Sequence, residues 1–108
     1  MGPEPSLKHR LKIAALEHRL FDIHHDHQLL ILLIVGSLNK PINRSSLLKK
    51  ISCSEVSFRK YYTELAEIGL LEIMQSDSDK RKKLIKLTDI GREKLKIYEK
   101  SFAMIVAS

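Results

Sequence analysis

The sequence predicts a mainly α (α+β) fold: a winged helix-turn-helix with flanking N- and C-terminal helices. Three observations predict it. Residues 54–68 carry apolar positions at helical spacing and run into Gly69. Two short alternating segments follow, on either side of the polar, basic tract Ser76-Asp77-Ser78-Asp79-Lys80-Arg81-Lys82-Lys83. Further helical stripes lie before and after this unit. Cations carried at the tip of two strands contribute little to packing and suit a polyanion.

Each element has its own signal. Leu7, Leu11, Ala14, Ala15, His18 and Phe21 recur at three- and four-residue steps, with Ile13, Leu16, Leu20 and Ile23 widening the stripe, so a first helix is expected over 6–22. Asp26 is placed to cap a second helix to about Leu38. Its residues 29–34 are apolar nearly all round, which predicts burial. Asn39-Lys40-Pro41 stops it. Asn43 caps a short third helix with Leu47, Leu48 and Ile51 inward. The fourth helix has two candidate starts: Ser52 with Glu55 has capping-box spacing, and Ser54 is itself a cap residue. Its inward face is Phe58, Tyr61, Tyr62, Leu65 and Ile68, and Gly69 supplies the left-handed residue that ends it. Leu71 and Ile73, then Ile85 and Leu87, alternate with Glu72, Met74 and Lys86 as two strands. Thr88 caps a last helix with the stripe Leu95, Tyr98, Phe102 and Ile105.

At 108 residues the chain suffices for one core and no second independent unit. Residues 1–5 are expected to be a disordered start and 6–108 a single domain, with 6–25 and 89–108 serving as dimerisation helices. A net charge of +6 favours nucleic acid or an anionic membrane surface. The membrane is the weaker partner, because the longest apolar run, 29–35, is far too short to span a bilayer. A single cysteine excludes an intrachain disulfide framework, and no signal peptide is visible, so a cytoplasmic, nucleoid-associated protein is expected.

Leu65-x-x-x-Gly69-Leu70, then Asp79-x-Arg81, then Leu87-Thr88-x-x-Gly91-x-x-x-Leu95 stand in the order and close to the spacing of one family. Over about residues 26–95 the sequence resembles the MarR family of bacterial winged-helix transcription regulators. The resemblance implies that the helix from Ser54 enters the major groove of double-stranded DNA, with Ser54, Glu55, Ser57, Arg59 and Lys60 facing it. It also implies that Arg81 enters the minor groove, that Asp79 steadies it, and that Arg44 and Ser45 hold phosphates. Leu48 stands where the family commonly has a small residue, and Ser52 where glycine is frequent.

Elementary chemistry agrees with these roles. A helix N-terminus offers free amides and partial positive charge to phosphate, which hydroxyls at Ser54 and Ser57 extend. Arginine forks two bonds to guanine or sits in a narrow minor groove. Lys80, Lys82 and Lys83 act as phosphate anchors, which position without reading sequence.

Other candidate chemistry is thinner. His24-His25-Asp26-His27, with His18 nearby, offers metal-ligand types, but an aspartate-capped connector explains the cluster and no cysteine pair or His-Glu-x-x-His pattern accompanies it. No metal site and no cofactor is assigned. Cys53 precedes the fourth helix, where oxidation would disturb DNA contacts, yet it fits an apolar core position. No nucleophile elbow, phosphate-cradling glycine loop or dinucleotide fingerprint is present, so an enzyme is not expected. A small-molecule effector has no support in the sequence. The expectation is a sequence-specific DNA-binding homodimer. The alternatives are a winged-helix plasmid or phage replication or partition protein, and a protein-interaction module whose basic face binds an acidic protein.

Overall fold

A computed structural model describes residues 6–23 and 26–108. The expected disordered start, 1–5, and His24-His25 of the histidine cluster lie outside the described residues. The element order is α1 (Leu7–Phe21), α2 (Asp26–Gly36), β1 (Ile42–Asn43), α3 (Arg44–Lys50), α4 (Glu55–Glu67), β2 (Leu71–Gln75), β3 (Lys83–Leu87) and α5 (Asp89–Ala107). Local chemistry sets most of these boundaries. Ser6, Asn43, Ser54 and Thr88 each accept a backbone amide from the first turn of the helix they precede, satisfying donors that no helix can pair internally. Ser54, not Ser52, is thus the cap of α4. Gly69 follows that helix at φ +84°, and Leu70 then turns back to donate to Leu65 O.

The sheet has the order β1-β3-β2, all antiparallel. In β2 and β3, Leu71 faces Leu87 and Ile73 faces Ile85, so alternate side chains reach the core. β1 was not expected. Its two residues pair Ile42 with Ile85 and Asn43 with Leu84, too few to produce an alternating signal.

Phe21, Ile31, Leu32, Leu47, Phe58, Leu65, Leu70 and Ile85 are almost fully buried, which joins every helix except α5 to the sheet; Leu95 and Tyr98 bring α5 into the same cluster. Burying each such side chain stabilises by about 1.5–3 kcal/mol before chain entropy is charged. The terminal helices, expected to serve dimerisation, therefore also supply part of this chain's own core. Phe21 and Tyr98 meet edge-on at 5.6 Å, and the Tyr98 hydroxyl donates to Glu17 Oε2 at 2.6 Å.

Three expected faces are corrected. In α1 the buried residues are Ile13, Leu16 and Phe21, while Leu7 and Leu11 are 81% and 72% exposed. A stripe with apolar residues on most sides cannot say which arc meets the partner. In α2, Leu30 and Leu33 reach the surface, and the helix ends at Gly36 where Ser37 Oγ caps back to Ile34 O. A Cβ at Gly36 would press on the tip of the Leu95 side chain, which would have to shift. Ile68, assigned inward, is exposed because it is the C-cap of α4, where the chain leaves the helix. Among the described residues, no helix is long and apolar enough to cross a membrane.

Candidate nucleic-acid interface

Three elements converge on one face. Asn43 Oδ1 accepts the Ser45 amide at 2.9 Å and sets the start of α3, so that Arg44 points towards α4. Arg44 Nε donates to the Tyr62 hydroxyl at 2.9 Å, and Nη2 donates to Glu55 Oε1 at 3.2 Å. Its guanidinium also lies 5.5 Å from the ring centroids of both Phe58 and Tyr62. Only 16% of the side chain is exposed, against 69% for Glu55. The planar fork is therefore engaged on two sides and stacked on aromatics, an arrangement that lysine could not reproduce. Burial disfavours the Arg44 charge, but the Tyr62 and Glu55 oxygens outweigh it and raise the pKa above its ordinary value. For the Tyr62 hydroxyl, burial raises the pKa, while Arg44, Arg59 and Lys83 together bring it below the usual phenol value.

On α4, Ser54 Oγ accepts the Ser57 amide and donates to Ser57 Oγ, both at 3.1 Å, so the two hydroxyls expected to face DNA are linked to each other. Arg59 and Lys60 are exposed. Phe58, Tyr62 and Leu65 hold the opposite side of the helix in the core.

The wing folds by short-range bonds. Ser76 N donates to Lys82 O at 2.9 Å and Lys82 N to Asp79 O at 3.0 Å, closing the loop between β2 and β3. Asp79 Oδ1 accepts the Arg81 amide at 3.0 Å and lies 3.5 Å from Arg81 Nε. The Arg81 side chain is 92% exposed, so this ion pair contributes at most about 1 kcal/mol to stability and serves to orient the loop. Lys80, Lys82 and Lys83 are exposed beside it.

A cleft of about 210 Å³ lies between these parts, lined by Asn43, Arg44, Ser45, Arg59, Arg81, Lys82 and Lys83. It brings together six of the expected contact residues from α3, α4 and the wing, the cations Arg44, Arg59, Arg81, Lys82 and Lys83 and the hydroxyl of Ser45. Lys60, Asp79, Lys80, Ser54, Glu55 and Ser57 lie outside the cleft lining. Sequence reasoning missed Val56, 81% exposed on the first turn of α4, although its phase on the helix relative to Phe58 and Tyr62 carried the signal. Cys53 is half-buried beside the core, as an apolar position predicts. His27 stacks on Tyr61 at 5.6 Å, and no group of metal-ligating side chains is found among the described residues.

No protein-family model matches the sequence, and no curated protein does. Solved structures do match. The S. aureus MepR–DNA complex superposes with a TM-score of 0.80 at 19% identity, covering 92% of this chain and 81% of that one. Reduced AbfR bound to DNA gives 0.70 at 25% identity, covering 88% and 70%. MarR gives 0.70 at 20% identity, covering 89% and 70%. With a helix-turn-helix, a basic two-stranded wing and terminal helices in this order, the chain has the winged-helix fold of the MarR-type transcription regulators.

Proposed function

We propose that the chain is a sequence-specific transcription regulator that binds double-stranded DNA as a homodimer, placing α4 in the major groove and the wing in the minor groove of each half-site. The observation that carries this reading is the convergence of Ser45, Arg59, Arg81, Lys82 and Lys83 on one cleft. Cations from α4 and the wing gathered at one mouth repel one another, and a polyanion relieves that cost. MepR and AbfR, which share the fold, were solved bound to DNA.

Within this reading the residues divide by role. Arg81 reaches a groove from a loop steadied by Asp79, while Lys80, Lys82 and Lys83 hold phosphates. Arg59 and Lys60 lie along the groove face of α4. Ser45, Ser54 and Ser57 offer hydroxyls near phosphates, and Arg44 with Glu55 positions α4 in place of anchoring a phosphate itself. Exposed Leu7, Leu11, Phe102 and Met104 on α1 and α5 supply an apolar surface for a second copy. Two-fold symmetry would set the recognition helices about one DNA turn apart, roughly 34 Å. A protein of this kind works on the nucleoid in the cytoplasm.

Selection of bound sequences from random duplex DNA tests the reading. Enrichment of a palindromic site with half-sites one turn apart is expected; recovery of no preferred sequence would overturn it.

A further inference from the structure

We propose that Val56 recognises the C5-methyl group of a thymine in the major groove, making one thymine in each half-site a requirement read by apolar contact. The inference rests on the DNA-binding reading above and assigns a specificity residue within it. At about 100° per residue, Val56 lies nearly opposite the mean direction of Phe58, Tyr62 and Leu65 and in line with Lys60 one turn on. It is 81% exposed and belongs to no apolar cluster.

Nothing in the fold calls for valine there. A β-branched residue is a poorer helix former than alanine, and an exposed one gains no packing in return. The neighbouring first-turn groups are engaged within the chain: Glu55 by Arg44, and Ser54 and Ser57 by each other. Val56 is thus the side chain of this turn that projects outward without a protein contact to explain it. Arg59, Lys60 and the basic wing surround it with positive charge, which selects a polyanion over an apolar protein surface for this face. Within the major groove, the thymine methyl is the apolar group that base-pair edges present. Removing one methyl-sized group from water at that contact corresponds to about fourfold in affinity.

The test uses the full chain and its selected duplex. Each thymine is replaced in turn by deoxyuridine, which lacks only the methyl, and binding is measured for wild type and Val56→Ala. Wild type should lose about fourfold at one position per half-site, and Val56→Ala should bind the thymine and uracil versions equally there. Circular dichroism should be the same for both proteins. A wild type indifferent to every deoxyuridine, or a Val56→Ala protein that keeps the full penalty, overturns the inference while leaving specific DNA binding intact. Failure to select any sequence overturns both.

Discussion

Arg44 and Tyr62 are joined by a 2.9 Å hydrogen bond from Nε to the phenolic oxygen, which ties the first residue of α3 to the middle of α4. The bond fixes the angle at which the outer face of α4 is presented. Arg44→Ala removes the Nε bond from a buried phenol and frees Glu55, so stability should fall by about 1–3 kcal/mol. Arg44→Lys should recover little of it, since lysine has no fork for two acceptors. Urea unfolding of the three proteins checks the order; an Arg44→Ala protein as stable as wild type would show that the bond does not hold the helices.

The wing behaves differently because its arginine is outside the fold. Arg81→Ala should leave the urea midpoint unchanged and weaken binding to a selected site by about 1–3 kcal/mol. If a dimer contacts about eight phosphates, log affinity should fall against log salt with a slope near −7. A slope near zero for wild type would instead favour an acidic protein partner.

Assembly can be separated from folding on α1. Leu11 is 72% exposed and Leu16 only 3%. Leu11→Glu should therefore give a folded monomer with much weaker DNA binding, as each half-site loses its tethered neighbour. Leu16→Glu should not fold, because it buries a charge. Light scattering with circular dichroism distinguishes the two, and a wild type that is monomeric at tens of micromolar would end the dimer proposal.

Gly69 and Gly91 meet different constraints. A Cβ at Gly91 would collide with the Leu70 carbonyl oxygen, where α5 begins against the turn after α4. Gly91→Ala should cost about 1–3 kcal/mol, through backbone displacement. At Gly69 a Cβ meets nothing within 4 Å, and the penalty comes from φ +84° alone. Gly69→Ala should cost about 1–2 kcal/mol. A neutral Gly91→Ala in urea unfolding would mean that α5 shifts freely.

Burial and the Glu17 carboxylate both push the Tyr98 phenol well above its usual pKa. The folded state therefore favours the neutral phenol, so this contribution is complete below about pH 10, where an unfolded tyrosine ionises, and is lost as pH rises beyond it. Tyr62, whose pKa is lowered, shifts stability in the opposite direction, so the comparison needs Tyr98→Phe. That variant should be less stable at pH 8 but lose less on going to pH 11; an unchanged alkaline slope would contradict the assignment.

Local order was legible in the sequence wherever the signal is itself local. Asn43 and Thr88 cap the helices they were expected to cap, Gly69 has the left-handed backbone its position called for, and Leu71, Ile73, Ile85 and Leu87 alternate because a pleated strand forces them to. The basic tract at the hairpin tip likewise placed Arg81 outside the fold, since a run of cations cannot enter a core of this size. Tertiary structure decided what depends on neighbours distant in sequence. That Phe58, Tyr62 and Glu55 would lie against Arg44, expected as a phosphate contact, was decided by the turn into α4. The buried arc of α1 was settled by Tyr98, 77 residues along the chain from Phe21. Val56 was left outward only because Phe58, Tyr62 and Leu65 turned the other side of α4 inward. Periodicity specifies that a helix has two faces; which groups meet each face is fixed by packing between segments that the sequence holds far apart.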